Sequence, residues 1–153
     1  MKKSIYYASL ILLAFISLPG CNTGQKHPWI GKAFETISKE EGYHIRGGDP
    51  HTEGLDYIVF ILKQDAEQMP SKAVFLTKEH VILGVTDVGF TSDIFYMVEN
   101  VTHKKDNRTV QYLVKKHYFP ETDTAEPLEL WGYNKKSKTV ERIAVTGDLE
   151  FGH

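Results

Sequence analysis

This chain has a single cysteine, Cys21, in 153 residues, so it cannot form an internal disulfide. A domain without cross-links must be held by an apolar core, and a chain of this length is long enough to bury one. The sequence also lacks internal repeats and low-complexity runs. It is therefore expected to form one globular domain rather than a disulfide scaffold or a repeat array.

Several motifs that carry known chemistry are missing too. There is no G-x-G-x-x-G or P-loop sequence, which argues against a nucleotide cofactor. There is no G-x-S-x-G nucleophile elbow, no HExxH helix and no C-x-x-C pair. Excess positive charge is also absent, since the formal net charge is −2. A nucleic-acid binder needs clustered basic residues to neutralise phosphates, so no nucleic-acid partner is expected.

The first 20 residues have the pattern of an export signal. Lys2 and Lys3 precede an apolar run over residues 5–18, and Pro19-Gly20 then breaks any helix. A helix of about 14 residues rises ~21 Å, which is short of the ~30 Å hydrocarbon core of a bilayer. The pattern therefore favours a cleaved signal peptide over a permanent transmembrane helix.

The end of this segment, Leu18-Pro19-Gly20-Cys21, resembles the lipobox of bacterial lipoproteins. That motif has a leucine three residues before the cysteine and a small residue directly before it, and Pro19 departs from its usual alanine or serine. The resemblance implies that a diacylglyceryl group is attached to Cys21, that the chain is cut before it, and that an acyl group such as palmitate is added to the new amino group. This covalent lipid is the only non-protein group expected, with no other cofactor.

The same resemblance implies a lipid-anchored protein of the bacterial cell envelope, since two or more acyl chains hold a protein stably on a membrane. By analogy with enterobacterial sorting, Asn22 favours the outer membrane over the inner one in a host with two membranes, with the domain in the periplasm. Residues 21–27 form a short polar tether. Two alternatives stay open: an ordinary secretory signal with a chance cysteine, and a short uncleaved anchor.

Residues 28–147 are predicted to form a single α+β domain, followed by a C-terminal tail over 148–153. Apolar residues at i, i+3, i+4 and i+7 from Ile30 predict a helix over 28–41, with Gly42 as its stop. From Leu55 onward the pattern becomes that of about seven short strands, and the apolar run 55–62 is typical of a central strand. We expect one N-terminal helix packed on a curved antiparallel sheet, a meander or partial barrel.

The loop predicted over residues 43–54 holds the densest set of potential metal ligands. His44, Asp49 and His51 are the strongest candidates, since imidazole and carboxylate groups are the ligands that zinc takes. Histidine and aspartate are also common in glycine-rich loops simply because loops are solvated. A metal-assisted hydrolase that uses this loop is therefore an alternative function rather than the leading one.

Aromatic residues concentrate on or beside the predicted strands. Neighbours along a strand point to opposite faces, so one ring of each adjacent pair, Phe95-Tyr96 and Tyr118-Phe119, faces outward. Tyr96, Tyr118 and Trp131 are the candidate ligand contacts on such a face or in a pocket.

Two groups of basic residues lie in predicted turns. Solvated hairpin tips are the simplest interpretation, and contact with anionic headgroups or cell-wall polymers is the alternative. The groups are Lys104, Lys105 and Arg108, and Lys135, Lys136 and Lys138.

The sequence as a whole favours a membrane-anchored, non-catalytic domain that binds an envelope protein, a lipid or a cell-wall ligand. The absence of a recognised catalytic motif favours binding over catalysis without excluding an enzyme. A small carrier of an apolar ligand is a further alternative, and it requires a cavity inside the sheet.

Overall fold

The computed structural model describes residues 26–49 and 53–152. Within them the protein is mostly β, with one α-helix and two antiparallel sheets of four and five strands. The helix is α1 (Phe34–Glu41). The first sheet contains β1 (Tyr43–Gly47), β2 (Ile58–Gln64), β3 (Lys72–Leu76) and β4 (Ile82–Asp87). The second contains β5 (Ile94–His103), β6 (Arg108–Phe119), β7 (Thr124–Asn134), β8 (Thr139–Ile143) and β9 (Leu149–Phe151).

The first sheet has the strand order β1-β2-β3-β4, so each strand pairs with its neighbour in sequence. Residues 58–62 of β2 are all buried, because α1 packs on one face of the sheet and the second sheet packs on the other. On the helix side, Phe34 and Ile37 of α1 meet Phe60 and Leu62. The central strand predicted from the apolar run 55–62 is therefore confirmed.

The helix begins at Phe34, and the prediction that it spans residues 28–41 is wrong at its start. Gly31 has φ +87°, a left-handed conformation that ends a right-handed helix. The Gly31 N–H donates to the Ile82 carbonyl, and the Lys32 carbonyl accepts from the Ile82 N–H, so this segment pairs with β4 instead. At the other end Gly42 (φ +69°) caps α1 by donating to the Ser38 carbonyl, as predicted.

The second sheet has the strand order β8-β7-β6-β5-β9. The hairpins β5–β6 and β7–β8, predicted from the turns near residues 104–107 and 134–138, are confirmed. Because β6 and β7 are antiparallel neighbours, the turns of these two hairpins lie at the same end of the sheet. This placement, rather than either turn alone, positions the candidate site.

The two sheets enclose a shared core. Leu113 and Trp131 are partners in the second sheet and face the first, where they join the cluster that contains Phe75. At one side the sheets approach very closely: a Cβ on Gly84 of β4 would lie 2.4 Å from a methyl carbon of Val140 in β8. Only glycine permits this contact without displacing the neighbour.

The opposite face of the second sheet carries a smaller core, in which Val101, Val114 and Leu130 are fully buried. β8 and β9 lie at opposite edges, yet only residues 144–148 connect them. Four strand spacings amount to ~19 Å, and six residue steps reach at most ~22 Å. The connection is not fully extended, because the Leu149 N–H donates to the Thr146 carbonyl in a turn. The two edges therefore curl towards each other, and Ile143, Leu149 and Phe151 pack against this smaller core.

The prediction of a single sheet of about seven strands is corrected by the two sheets. Residues 43–47 form β1, although the whole of 43–54 was expected to be loop. Residues 149–151 form β9 within the region expected to be a tail, and they pair with β5. β4 and β5 do not pair, and residues 88–93 carry the chain into the second sheet. The physical reason is that a sheet buried on both faces needs a layer on each.

Candidate ligand-binding pocket

The second sheet forks at the end that carries the turns of the β5–β6 and β7–β8 hairpins. β5 and β6 pair from Ile94–His117 to His103–Arg108. The β6–β7 ladder runs only from Phe119–Thr124 to Leu113–Trp131. Residues 108–112 of β6 and 132–134 of β7 therefore belong to two hairpins that are no longer joined to each other in the described chain. We call this opening the fork.

A pocket of about 470 Å³ lies in the fork, within the volume range of small-molecule sites. One wall comes from the β5–β6 hairpin and the other from the β7–β8 hairpin. Residues just before β2, together with Tyr112 of β6, form the floor. The lining residues are Arg108 and Val110 on the first wall, Gly132, Tyr133, Asn134, Lys135, Lys136, Glu141 and Ile143 on the second, and Asp56, Tyr57 and Tyr112 on the floor.

Tyr57 fills the base of the fork. Its side chain is 4% exposed, with the ring centroid 5.8 Å from that of Phe75 and 6.1 Å from that of Tyr133. Burial raises the pKa of the phenol, and a hydrogen bond with the Tyr133 backbone acts in the opposite direction. The rise dominates, so the phenol stays neutral at physiological pH. Tyr57 thus supports the backbone of β7 where the strand has left β6.

Tyr112 of β6 and Gly132 of β7 pack closely together at the base of the fork. Tyr112 is 3% exposed, and its hydroxyl lies 2.8 Å from Nε2 of His103 in a hydrogen bond. A Cβ on Gly132 would lie 2.6 Å from Cε1 of Tyr112 and 2.8 Å from the Tyr57 hydroxyl oxygen. Glycine therefore lets β7 pass directly over both phenols. Burial raises the pKa of Tyr112 as well, so both floor hydroxyls remain protonated.

Charged groups surround the mouth of the pocket. Lys135 Nζ lies 3.0 Å from a carboxylate oxygen of Asp56. The Glu141 carboxylate accepts hydrogen bonds from Asn134 (3.0 Å) and Ser137 (2.7 Å), which lower its pKa. Nε of Arg108 lies 3.9 Å from a carboxylate oxygen of its neighbour Asp106, a long ion pair. The mouth is therefore hydrophilic, while Val110 and Ile143 make part of the walls apolar.

This combination fits binding better than proton-transfer chemistry. The phenols of the floor have raised pKa values and hold their protons at neutral pH, so they are poor bases. The carboxylates of Asp56 and Glu141 are held by Lys135 and by neutral donors. What the pocket offers is a half-open cleft with hydroxyl, amide and cationic groups that can orient a small ligand.

Two members of the predicted metal site, His44 and Asp49, each have a hydrogen-bond partner outside it. Nε2 of His44 lies 2.7 Å from a carboxylate oxygen of Asp65 across the exposed side of β1. A carboxylate oxygen of Asp49 accepts from Asn100 Nδ2 at 3.0 Å. His51 lies outside the described residues. Within the part of the chain that is described, no three His, Cys, Asp or Glu side chains are grouped to hold a metal ion. The site of His44, Asp49 and His51 stays a prediction.

The three predicted aromatic contacts lie outside the pocket lining. Tyr96 is half-buried, with its ring 5.7 Å from Phe90, and Trp131 packs against the same core between the sheets. Tyr118 is close to the β6–β7 turn, where its hydroxyl donates to Asp123 at 2.9 Å. Their role in ligand binding therefore stays a prediction, and the first two also have a clear role in packing.

Sequence reasoning missed Tyr57, Tyr112 and Gly132 as pocket residues. Both tyrosines belong to predicted strands and look like ordinary core positions. The available signal was the pair of basic turns, since Arg108, Lys135 and Lys136 do line the pocket. That signal becomes informative only when the strand order shows that the two turns are neighbours.

The predicted lipidation residue, Cys21, lies outside the described residues, as do the signal peptide and most of the tether. Among the described residues, no helix combines the length and the apolar character needed to span a membrane. Comparisons with protein-family models, with curated proteins and with solved structures find no significant match to this chain.

Proposed function

We propose that this protein is a bacterial lipoprotein, anchored in the cell envelope through a lipid on Cys21, and that its β-domain binds a small ligand in the fork. The observation that carries the binding proposal is the pocket between the two hairpins, with its buried tyrosine floor and charged mouth. The anchor rests on the resemblance of Leu18-Pro19-Gly20-Cys21 to a lipobox. With Asn22 after the cysteine, the outer membrane is the proposed location in a host with two membranes.

The shape of the site supports a binding role. Its walls belong to two β-hairpins that are each held by a continuous ladder, so the pocket exists without a partner chain. Tyr57 and Tyr112 are packed in place, which limits the cost of ordering side chains on binding. The mixture of apolar wall and polar mouth suits a ligand with both kinds of surface better than a purely apolar one.

The anchor is tested by expressing the full chain in a bacterium that processes lipoproteins. Wild-type protein should incorporate labelled palmitate and enter the detergent phase on Triton X-114 partitioning, whereas Cys21→Ser should do neither. Equal labelling of both would refute lipidation at Cys21. Leu18→Gly offers a second variant that should impair processing while keeping the cysteine.

Ligand binding in the pocket is tested by identifying the small molecules that stay bound to the protein during purification. Lipidated wild-type protein, purified in detergent from bacterial membranes, is denatured and the released small molecules are analysed by mass spectrometry. Ile143→Trp should fill the pocket and abolish retention, while Ile45→Trp, a matched change at an exposed position of β1, should not. A released molecule that is equally abundant in all three proteins would contradict binding in the fork.

A further inference from the structure

The two turns that flank the fork share a basic sequence and a similar build. Each begins with two lysines, and each has a residue with positive φ just before the next strand, Asn107 at +55° and Lys138 at +57°. Together with the pocket lining they bring six basic and three acidic residues to one end of a chain whose net charge is −2. The basic residues are Lys104, Lys105, Arg108, Lys135, Lys136 and Lys138, and the acidic ones are Asp56, Asp106 and Glu141.

Two of the three acidic residues, Asp56 and Glu141, have partners other than Arg108. Asp56 pairs with Lys135 at 3.0 Å. Glu141 accepts from Asn134, Ser137 and Thr139, at 2.7 to 3.1 Å. Of the three cations that line the pocket, Lys135 is therefore paired with Asp56, and the other two are available to contact a ligand.

The first is Arg108, whose nearest described carboxylate is at 3.9 Å. The second is Lys136, which has no carboxylate within 4.0 Å among the residues that the structure describes. The guanidinium is suited to bidentate contact with phosphate, and the lysine adds a mobile point charge.

The groups beneath these cations are neutral except for Asp56, whose carboxylate pairs with Lys135. The phenols of Tyr57 and Tyr112 form the floor, and Val110 and Ile143 contribute apolar surface. A cation at the rim of a cleft with low-dielectric walls attracts an anion more strongly than the same cation on a flat surface does. A ligand with an anionic end and a compact neutral body would match both parts of the pocket.

We propose that the fork binds a phosphate ester, with the phosphate held at the mouth by Arg108 and Lys136 and the uncharged body over the tyrosine floor. This inference rests on the proposed function and names the ligand class of the same pocket. A phosphorylated sugar in solution and the phosphate headgroup of a membrane lipid share this chemistry. The two basic turns, for which the sequence favours solvated tips over contact with anionic polymers or headgroups, then raise the local concentration of the anionic ligand.

The test is calorimetric titration of the full-length lipidated protein in phosphatidylcholine nanodiscs. Glucose 6-phosphate and inorganic phosphate are the probes, and glucose is the uncharged analogue. Glucose should bind at least about tenfold more weakly than its phosphate, because the charge-assisted contacts are missing. Raising the salt concentration should weaken the binding of glucose 6-phosphate.

Charge-removing variants locate the anion. Arg108→Gln should weaken binding of glucose 6-phosphate about tenfold, and Lys136→Gln by several-fold. Lys78→Gln removes the same charge from an exposed turn of the first sheet and should change affinity less than about twofold. All four proteins should show the same thermal unfolding, since these side chains are at the surface.

Nanodiscs that contain phosphatidic acid distinguish the two sources. If a lipid headgroup occupies the fork, phosphatidic acid in the nanodisc should reduce the affinity of the wild-type protein for glucose 6-phosphate. The weaker affinity of the Arg108→Gln variant should then be the same in both kinds of nanodisc. If the natural ligand is soluble, the affinity should be the same in both nanodiscs. Both results support a phosphate site and differ only in where the phosphate comes from.

Equal affinity for glucose and its phosphate, an unaffected Arg108→Gln variant, or no binding of either phosphate probe would overturn the inference. A different result decides whether the fork binds a ligand at all. If Ile143→Trp abolishes retention of a molecule without an anionic group, the fork is a binding site and only the phosphate assignment fails. If neither the probes nor a host molecule bind, both fail.

Discussion

The side-chain oxygen of Gln111 accepts a hydrogen bond of 2.6 Å from the backbone N–H of Val59, and this contact joins the two sheets. Gln111 lies in β6 and is 1% exposed, whereas Val59 lies in the central strand of the first sheet and is fully buried. The amide nitrogen of Gln111 donates in turn to Asn100 at 3.1 Å. Both ends of a buried polar side chain are thus satisfied, and the relative position of β2 and β6 is fixed close to the fork.

Gln111→Leu should therefore destabilise the fold strongly. The leucine fits the apolar surroundings but leaves the Val59 N–H buried without an acceptor, at a cost of about 1–3 kcal/mol. The free energy of unfolding from urea titration measures this loss. Gln68→Leu, a change at an exposed position between β2 and β3, is the control and should stay within about 0.5 kcal/mol of wild type. A Gln111→Leu variant as stable as this control would show that the contact contributes little.

Gly132→Ala should destabilise the protein by about 1–3 kcal/mol, as expected for an extra methyl in a packed site. The new Cβ would lie 2.6 Å from the Tyr112 ring and 2.8 Å from the Tyr57 hydroxyl. Gly89→Ala is the matched control, because a Cβ there has no neighbour within 4 Å among the described residues. Thermal unfolding of both variants tests the expectation, and equal melting temperatures would mean that the walls of the fork can move apart freely.

The protein should lose stability as the pH falls below the ordinary His27 pKa of about 6.5. Burial, and then the nearby charge of Lys72, lower the pKa of His27 in the folded state, against a smaller opposing effect of Asp87. Nδ1 of the neutral ring also accepts a hydrogen bond from the backbone N–H of Trp29 at 3.2 Å. The protonated ring cannot accept this bond. The unfolded state then binds more protons than the folded state, so acid favours unfolding.

This is measured from urea unfolding between pH 8 and pH 5. His27→Asn keeps an acceptor for the Trp29 N–H without titrating, so its stability should fall less over the acid half of this range. Above pH 7.5 both proteins hold neutral side chains at this position and should change in parallel. A wild-type protein and variant with the same slope down to pH 5 would rule His27 out as the source.

Two ion pairs should differ sharply in their contribution to stability. Glu99 and Lys116 pair on the outer face of the second sheet with side chains only 12% and 16% exposed. Lys39 and Glu35 pair on α1 with 74% and 78% exposed. Lys116→Met leaves Glu99 largely buried without its cation and should cost roughly 2–4 kcal/mol. Lys39→Met should cost less than about 0.5 kcal/mol. Similar values for both in urea unfolding would contradict the role of burial.

Local signals in the sequence were enough for the individual elements. The stop at Gly42, the central strand and the hairpin turns were all predicted, because each depends on residues close in the chain. The helix start was wrong because Gly31 pairs with β4, some fifty residues away, and this pairing leaves no local trace. The division into two sheets could not be predicted for the same reason. Residues 88–93 connect β4 of the first sheet to β5 of the second, and nothing local shows that these two strands do not pair.

The pocket could not be predicted because it forms where the hydrogen-bonded pairing of β6 with β7 ends, and the sequence does not show where that pairing ends. Tyr57 directly precedes β2 of the first sheet, Tyr112 and Gly132 lie in the second, and only the folded structure brings them together. The basic turns are visible in the sequence, which favours solvated hairpin tips and leaves contact with anionic headgroups or cell-wall polymers as the alternative. Their significance depends on the order of β5 to β8, which places both turns at one end.

The most direct measurement is mapping of backbone amide chemical shifts for the ¹⁵N-labelled full-length protein in detergent micelles, titrated with the small-molecule extract of its host's membranes. Binding in the fork predicts saturable shifts in residues 108–112 and 132–136, which vanish in Ile143→Trp and persist in Ile45→Trp. Shifts confined to α1 and β1, or none at saturating extract, would contradict ligand binding in the fork.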